Sequence, residues 1–199
     1  KIYGAKINVT LSVQSGTVTT DNKTIIENAS GVGIEVRGTL NINDTTVNSP
    51  KNNGITMWEG NLNVSNSSID GNTGLYLPGG TAKVKSSIIT GTVYGINVSG
   101  STTTIGEEQE EIDITTPIIK GGTYGLYVGS GTVNVYGGIF KGKTGGNTGT
   151  ITNMPDGYTL KEGTEEIEGE TYITSFLSEN IKFLQVGEST YNTLPKAIK

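Results

Sequence analysis

A glycine followed by apolar–any–apolar recurs along the chain. It occurs as "GIEV" at Gly33, "GITM" at Gly54, "GLYL" at Gly74, "GINV" at Gly95 and "GLYV" at Gly125. The starts are 21, 20, 21 and 30 residues apart, and the long interval carries an insertion, "GEEQEEIDI", from Gly106 to Ile114. A second apolar pair follows each motif at a nearly fixed distance: Leu40/Ile42, Leu62/Val64, Ala82/Val84, Thr103/Ile105 and Val133/Val135. A third cluster comes next, at Val47, Ile69, Ile88/Ile89, Ile118/Ile119 and Ile139/Phe140. Upstream of Gly33, the residues Leu11/Val13, Val18 and Ile25/Ile26 fit the same template in part.

Each unit predicts three short strands whose alternation puts one face in and one face out. A strand with two inward residues cannot bury its apolar face alone. Stacking unit on unit buries it and pairs each backbone group with the turns above and below. The expected fold is all-β: a right-handed parallel β-helix, a solenoid with three short strands per rung of 20 to 21 residues. A leucine-rich repeat has a similar period but needs L-x-x-L-x-L-x-x-N, which is missing. At about 4.8 Å per rung, six or seven rungs make a rod on the order of 30 Å long. Its end strands expose unpaired edges that must be covered. Glycine and asparagine at the corners are expected to supply left-handed backbone values. Asp44, Asn66, Ser86 and Gly137 occupy one such corner.

The repeat divides the chain. Residues 1–153 are expected to form the β-helix, and 154–186 a small C-terminal β extension that closes the last rung. In that extension "YTL" and "TYITSFL" alternate like strands around the acidic "EGTEEIEGE". The final stretch, "LQVGESTYNTLPKAIK", reads as a strand followed by the first turn of a helix, with 187–199 opening a further module.

Composition alters this picture little. Hydrophobic content of 33% with 30 glycines would suit disorder, but the β-branched residues are too regular for it. There is no cysteine, hence no disulfide or thiolate chemistry. There is no histidine, which removes the commonest general base and metal ligand. A net charge of -5 gives no footprint for nucleic acid. No apolar run reaches the roughly 18 residues that a membrane span needs. The opening "KIYGAKINVT" lacks a signal peptide's apolar core.

Three stretches carry a resemblance: "STTTIGEEQEEIDITTPIIKGGTYGLYV", "GTVNVYGGIFKGK" and "GYTLKEGTEEIEGETYITSFL". With the tail "VGESTYNTLPKAI", they resemble the large multi-module surface proteins of Gram-positive bacteria that contain pectate-lyase-like β-helices. The tail looks like the "Y-x-TL-x-x-AI" opening of a following module in such proteins. The resemblance covers about half the chain. It implies export, an extracellular place on a bacterial cell surface, and adjacent modules of the same chain as neighbours. It says little about activity, because lyases, hydrolases and non-catalytic adhesins share the fold.

Polysaccharide lyases of this architecture hold Ca2+ with several carboxylates, and glycoside hydrolysis needs two carboxylates at a suitable separation. Rung by rung, the outward positions fall into columns. After the first inner residue they are Glu35, Thr56, Tyr76, Asn97 and Tyr127. After the second they are Arg37, Trp58, Pro78, Ser99 and Gly129, and on the second strand Asn41, Asn63, Lys83, Thr104 and Asn134. No column carries three carboxylates on adjacent rungs, and Asp44 and Asp70 fall in different registers. No catalytic residue is expected, and the leading expectation is a non-catalytic display rod or adhesin-like module.

The best binding patch joins Glu35 and Arg37 to Trp58 and Glu59 one rung on, with Tyr76 and Tyr127 further along. Outward aromatics with flanking hydrogen-bonding groups suit a glycan or a host-matrix surface. The plainer alternative is a cation–π contact with a surface ion pair, each about 1 kcal/mol or less. Glu107, Glu108, Glu110, Glu111 and Asp113 make Ca2+ the one candidate cofactor. A calcium loop also needs a shaping glycine within the run, and Gly106 precedes it. A solvated loop is the expected reading, with no cofactor.

Overall fold

The computed structural model describes residues 8–109 and 113–180, and the backbone at 2–4, 183–186 and 189–192. Among the described residues there is no helix. Strands β1 (Ile2–Gly4), β2 (Val9–Val13), β3 (Thr17–Thr20) and β4 (Thr24–Asn28) begin the coil. The next turn is β5 (Val32–Val36), β6 (Thr39–Asn43) and β7 (Thr45–Ser49). Then β8 (Ile55–Met57) and β9 (Asn61–Ser65) lead into β10 (Ser68–Leu77), which rounds a corner without a break. β11 (Thr81–Lys85) leads into β12 (Ile88–Gly106), and β13 (Ile118–Gly121) into β14 (Tyr124–Tyr136). β15 (Ile139–Gly142) and β16 (Gly145–Thr148) end the coil.

These strands pair in parallel, each with its counterpart one turn away, so identical positions stack in columns. On the first face the inner column is Leu11, Ile34, Ile55, Leu75, Ile96, Leu126 and Asn147, one residue from each of about seven turns. The second face stacks Val18, Leu40, Leu62, Ala82, Thr103 and Val133. The third stacks Ile26, Val47, Ile69, Ile89, Ile119 and Phe140. The expected parallel β-solenoid is the fold observed. The core is one column-built cluster along the axis. Burying a Leu, Ile or Val side chain contributes roughly 1.5–3 kcal/mol. Thr103 is the polar member of its column, and the buried Ser101 hydroxyl lies 2.8 Å from its Oγ1.

Two details differ from the sequence reading. In each isoleucine pair of the third face only the second residue points in. Ile89, Ile119 and Phe140 are buried, whereas Ile88 is 51% exposed, because alternation admits only one of two neighbours. The motif glycines are not left-handed corner residues either. Gly33, Gly54, Gly74, Gly95 and Gly125 have no left-handed φ. A Cβ on Gly95 would lie 2.7 Å from the Gly125 carbonyl oxygen, and one on Gly74 the same distance from that of Gly95. These glycines serve close approach between turns rather than an unusual φ.

The left-handed corner lies where expected at Asp44, Asn66 and Ser86, with φ of 46°, 48° and 45°. Gly138 takes that role (φ 96°) in place of the expected Gly137. The residue after each of Asp44, Asn66 and Ser86 is a buried hydroxyl: Thr45, Ser67 or Ser87. The sharp turn takes the local N–H out of the strand ladder, and a hydroxyl from the next turn receives it. Thr45 N–H donates to Ser67 Oγ and Ser67 N–H to Ser87 Oγ, both at 3.1 Å. Ser67 and Ser87 hydroxyls donate in turn to the carbonyls of Ser65 and Lys85.

Beyond the coil, β17 (Tyr158–Ile167) and β18 (Glu170–Glu179) form an antiparallel hairpin. β18 adds antiparallel to β15, with Phe140 opposite Ser175. Leu177 enters the core, and Ile151, Met154, Tyr158 and Leu160 pack against it. The last turn thus has its third-face edge occupied by β18 and its core end covered. β19 (Phe183–Val186) and β20 (Ser189–Asn192) form a separate antiparallel pair. The expected helical turn falls on residues 193–199, outside the described residues.

Gly95→Ala is expected to destabilise the fold by about 2–3 kcal/mol, since a backbone carbonyl cannot yield as a side chain does. Thr19→Ala, on the exposed outer face, should stay within about 0.5 kcal/mol. Urea melts of both variants check this, and equal midpoints would contradict the close-approach account.

Candidate functional site

In-register pairing also fixes the outward columns. Ser12, Glu35, Thr56, Tyr76, Asn97, Tyr127 and Thr148 form one ladder on the first face. Thr56 is buried within it, and Asn53 Nδ2 donates to its Oγ1 at 3.0 Å. Glu35 therefore abuts a closed, hydrogen-bonded position. Arg37 and Trp58 each follow the last inner residue of their strand, Val36 and Met57. Their N–H groups donate to Val13 and Val36 carbonyls one turn back. This sets the Arg37 guanidinium 5.7 Å from the Trp58 ring centroid, and Glu59 Oε1 lies 3.8 Å from Arg37 Nη1. Tyr76 meets Trp58 edge-on, with centroids 6.3 Å apart. Trp58 stays 42% exposed.

The sequence-predicted residues thus fall into separate groups. Arg37, Trp58, Glu59 and Tyr76 form one cluster. Glu35 sits apart in its ladder. Tyr127 lies two turns from Tyr76 with Asn97 between them, and packs with Tyr94 at 4.9 Å and Tyr124 at 6.4 Å. The outward column of Arg37, Trp58, Pro78, Ser99 and Gly129 shifts at its far end. A bulge between Val98 and Ser99 pairs Ser99 with Ser130 rather than Gly129.

The acidic insertion divides as well. Glu107 Oε1 pairs with Lys85 Nζ at 2.6 Å. Asp113 folds onto its own turn, where Oδ1 accepts Thr115 N–H at 2.8 Å and Thr115 Oγ1 at 2.6 Å, and Oδ2 accepts Thr116 Oγ1 at 2.7 Å. The threonine hydroxyls hold the Asp113 pKa down at about 2. Glu110 and Glu111 lie outside the described residues. Among the described residues no three carboxylates converge on a point that would hold a metal ion. Asp44 sits at its corner, while Asp70 stands between Asn48 and Thr90 on the third face, where burial raises its pKa.

One feature was missed from the sequence. The second face carries the outward column Thr19, Asn41, Asn63, Lys83, Thr104, Asn134 and Asn153. Beside its far half, Glu107–Gln109 wall off a hollow of about 540 Å³ over Lys83, Thr104, Asn134 and Tyr136. A second hollow of about 350 Å³ continues it towards Asn153 and Asp156. The column was legible as a row of polar residues. The wall was not, because the insertion has no period.

Comparison with known proteins adds no assignment: no family model, no curated protein and no solved structure matches the chain.

Asp113 has a folded-state pKa below its ordinary 3.8, so its turn is favoured above the unfolded value. That contribution is lost as pH falls through about 2. An NMR titration of the Asp113 carboxyl should give a midpoint of about 2, and Thr115→Val should move it up towards 3.8. A wild-type midpoint at the ordinary value would contradict the geometry.

Proposed function

We propose that this segment is a non-catalytic, rigid β-solenoid module of an exported bacterial surface protein, a rod that displays or spaces its neighbours in an adhesin-like manner. The observation that carries this reading is the run of about seven turns in parallel register, with one core column set along the axis. A solenoid of this kind resists bending because each turn is bonded to the next along all three faces. The hairpin β17–β18, fastened by Lys141–Glu165 at 2.7 Å and Lys143–Glu170 at 2.6 Å, suits a module whose end must not recruit stray strands. The motif resemblance to pectate-lyase-like modules of Gram-positive surface proteins supports export and adjacent modules of the same chain as partners.

A second reading is recognition of a glycan or host-matrix surface by Arg37, Trp58, Glu59 and Tyr76. It rests on the exposed Trp58 ring with Tyr76 set edge-on beside it. The Arg37 contact on Trp58 is worth about 0.5–1 kcal/mol at an exposed site, so a ligand can displace it.

An antibody raised against the folded segment tests the first reading. Staining of intact source cells, and weaker attachment when a flexible Gly/Ser linker replaces the segment in its parent chain, are the expected results. Staining only after permeabilisation, or attachment unchanged by the linker, would overturn it. For the second reading, a glycan or matrix ligand bound at this cluster should change Trp58 fluorescence on titration, and Arg37→Ala and Tyr76→Ala should each weaken that response; an unchanged spectrum across a ligand panel would overturn it.

A further inference from the structure

We propose that the walled cleft on the second face is a binding site for a neutral glycan chain lying along the rod axis. It is separate from the Trp58 cluster, which belongs to the first face, and it does not depend on the display role.

The shape comes first. Two adjoining hollows of about 540 and 350 Å³ share Glu108, Gln109 and Tyr136, so they lie end to end along one wall. Their floor is a column of the solenoid, and the column sets its period. Thr104, Asn134 and Asn153 follow one another at the turn spacing of about 4.8 Å. A floor that repeats a polar group at a fixed short interval suits a ligand that also repeats, namely a polymer of hydroxyl-bearing units.

The floor is preorganised. Asn153 Nδ2 donates to Asn134 Oδ1 at 2.7 Å, and Asn134 Nδ2 lies 3.5 Å from Thr104 Oγ1. The 2.7 Å bond orients the two amides against each other before any ligand arrives, which lowers the ordering cost of binding. Each amide NH2 has a second hydrogen to donate, and the Asn153 oxygen can accept. A sugar hydroxyl is both donor and acceptor, so such a row matches it better than it matches a pure acceptor such as phosphate.

Tyr136 supplies the apolar contact. It stands half-buried at the junction of the two hollows. Its column neighbour one turn back is Gly106, which puts no side chain beside the ring. An aromatic ring with a polar tip is suited to the C–H face of a pyranose.

Charge selects among glycans. Lys85 neutralises Glu107 at 2.6 Å. Among the described residues, the other charges lining the trough are Lys83, Glu108 and Asp156, a net of one negative. An anionic chain meets more repulsion than attraction there, and a neutral chain meets neither.

The test uses the isotope-labelled chain with cellohexaose, xylohexaose and chitohexaose as neutral probes, and an oligogalacturonate as the anionic one. At least one neutral probe at millimolar concentration should shift the side-chain amide resonances of Asn134 and Asn153. Calorimetry should show Tyr136→Ala and Asn153→Ala weakening that probe at least tenfold. Tyr136→Phe should retain the affinity, and so should Thr19→Ala, at the opposite end of the same outward column. Thermal melts of all four variants separate lost binding from lost folding, and Tyr136→Phe serves if the alanine variant melts early. The proposal is overturned if no neutral probe shifts those amides, if only the anionic probe does, or if Trp58→Ala removes binding that Tyr136→Ala leaves intact.

Discussion

The turn-to-turn backbone hydrogen bond governs this molecule. Parallel pairing holds successive turns about 4.8 Å apart, and no side chain can alter that distance. Each position therefore meets its own counterpart above and below. Inner columns are apolar through the middle turns or else, as at Thr103, have a hydroxyl partner in Ser101, and the polar Asn147 enters the first-face column only at the last turn. The spacing also decides where a Cβ fits. At Gly95 and its counterparts the next turn's carbonyl occupies that place, so the repeat begins each unit with glycine. At the corner of Asp44, Asn66 and Ser86 the ladder is interrupted, and the hydroxyls of Ser67 and Ser87 restore the missing acceptors.

Surface chemistry follows from the same constraint. An outward residue gains neighbours from adjacent turns, so it acts as part of a column or not at all. Trp58 gathers Arg37 from the turn before and Tyr76 from the turn after. Asn134 and Asn153 join into a bonded row because register places them side by side. A departure from the period is what makes a concavity. Glu107–Gln109, the described start of the insertion after Gly106, line one side of the trough.

Much of this was legible in the sequence because period-two alternation and a 20-residue repeat are local signals. The ladder of Glu35, Thr56, Tyr76, Asn97 and Tyr127 was read in its true register, as was that of Asn41, Asn63, Lys83, Thr104 and Asn134. What was not legible depended on atoms in other turns. The need for glycine at Gly95 comes from a carbonyl 30 residues on. The orientation of Ile88 against Ile89 turns on which of two isoleucines begins the strand. The Val98/Ser99 bulge moved Ser99 onto Ser130, and nothing in the local pattern marks a bulge there. The hydroxyl after each corner did leave a signal, in "NDT", "SNS" and "KSS", but it reads as ordinary turn composition until the corner N–H is seen to lack a strand partner.

Native-state hydrogen exchange tests the central claim most directly. If turns are stabilised by their neighbours, protection should be greatest for the inner strands of the middle turns, around Ile55, Leu75 and Ile96. It should fall off smoothly through the first turn, and amides of one turn should exchange together across all three faces. Protection that varies independently from face to face within a turn, or that peaks in the β17–β18 hairpin rather than the coil, would contradict the account.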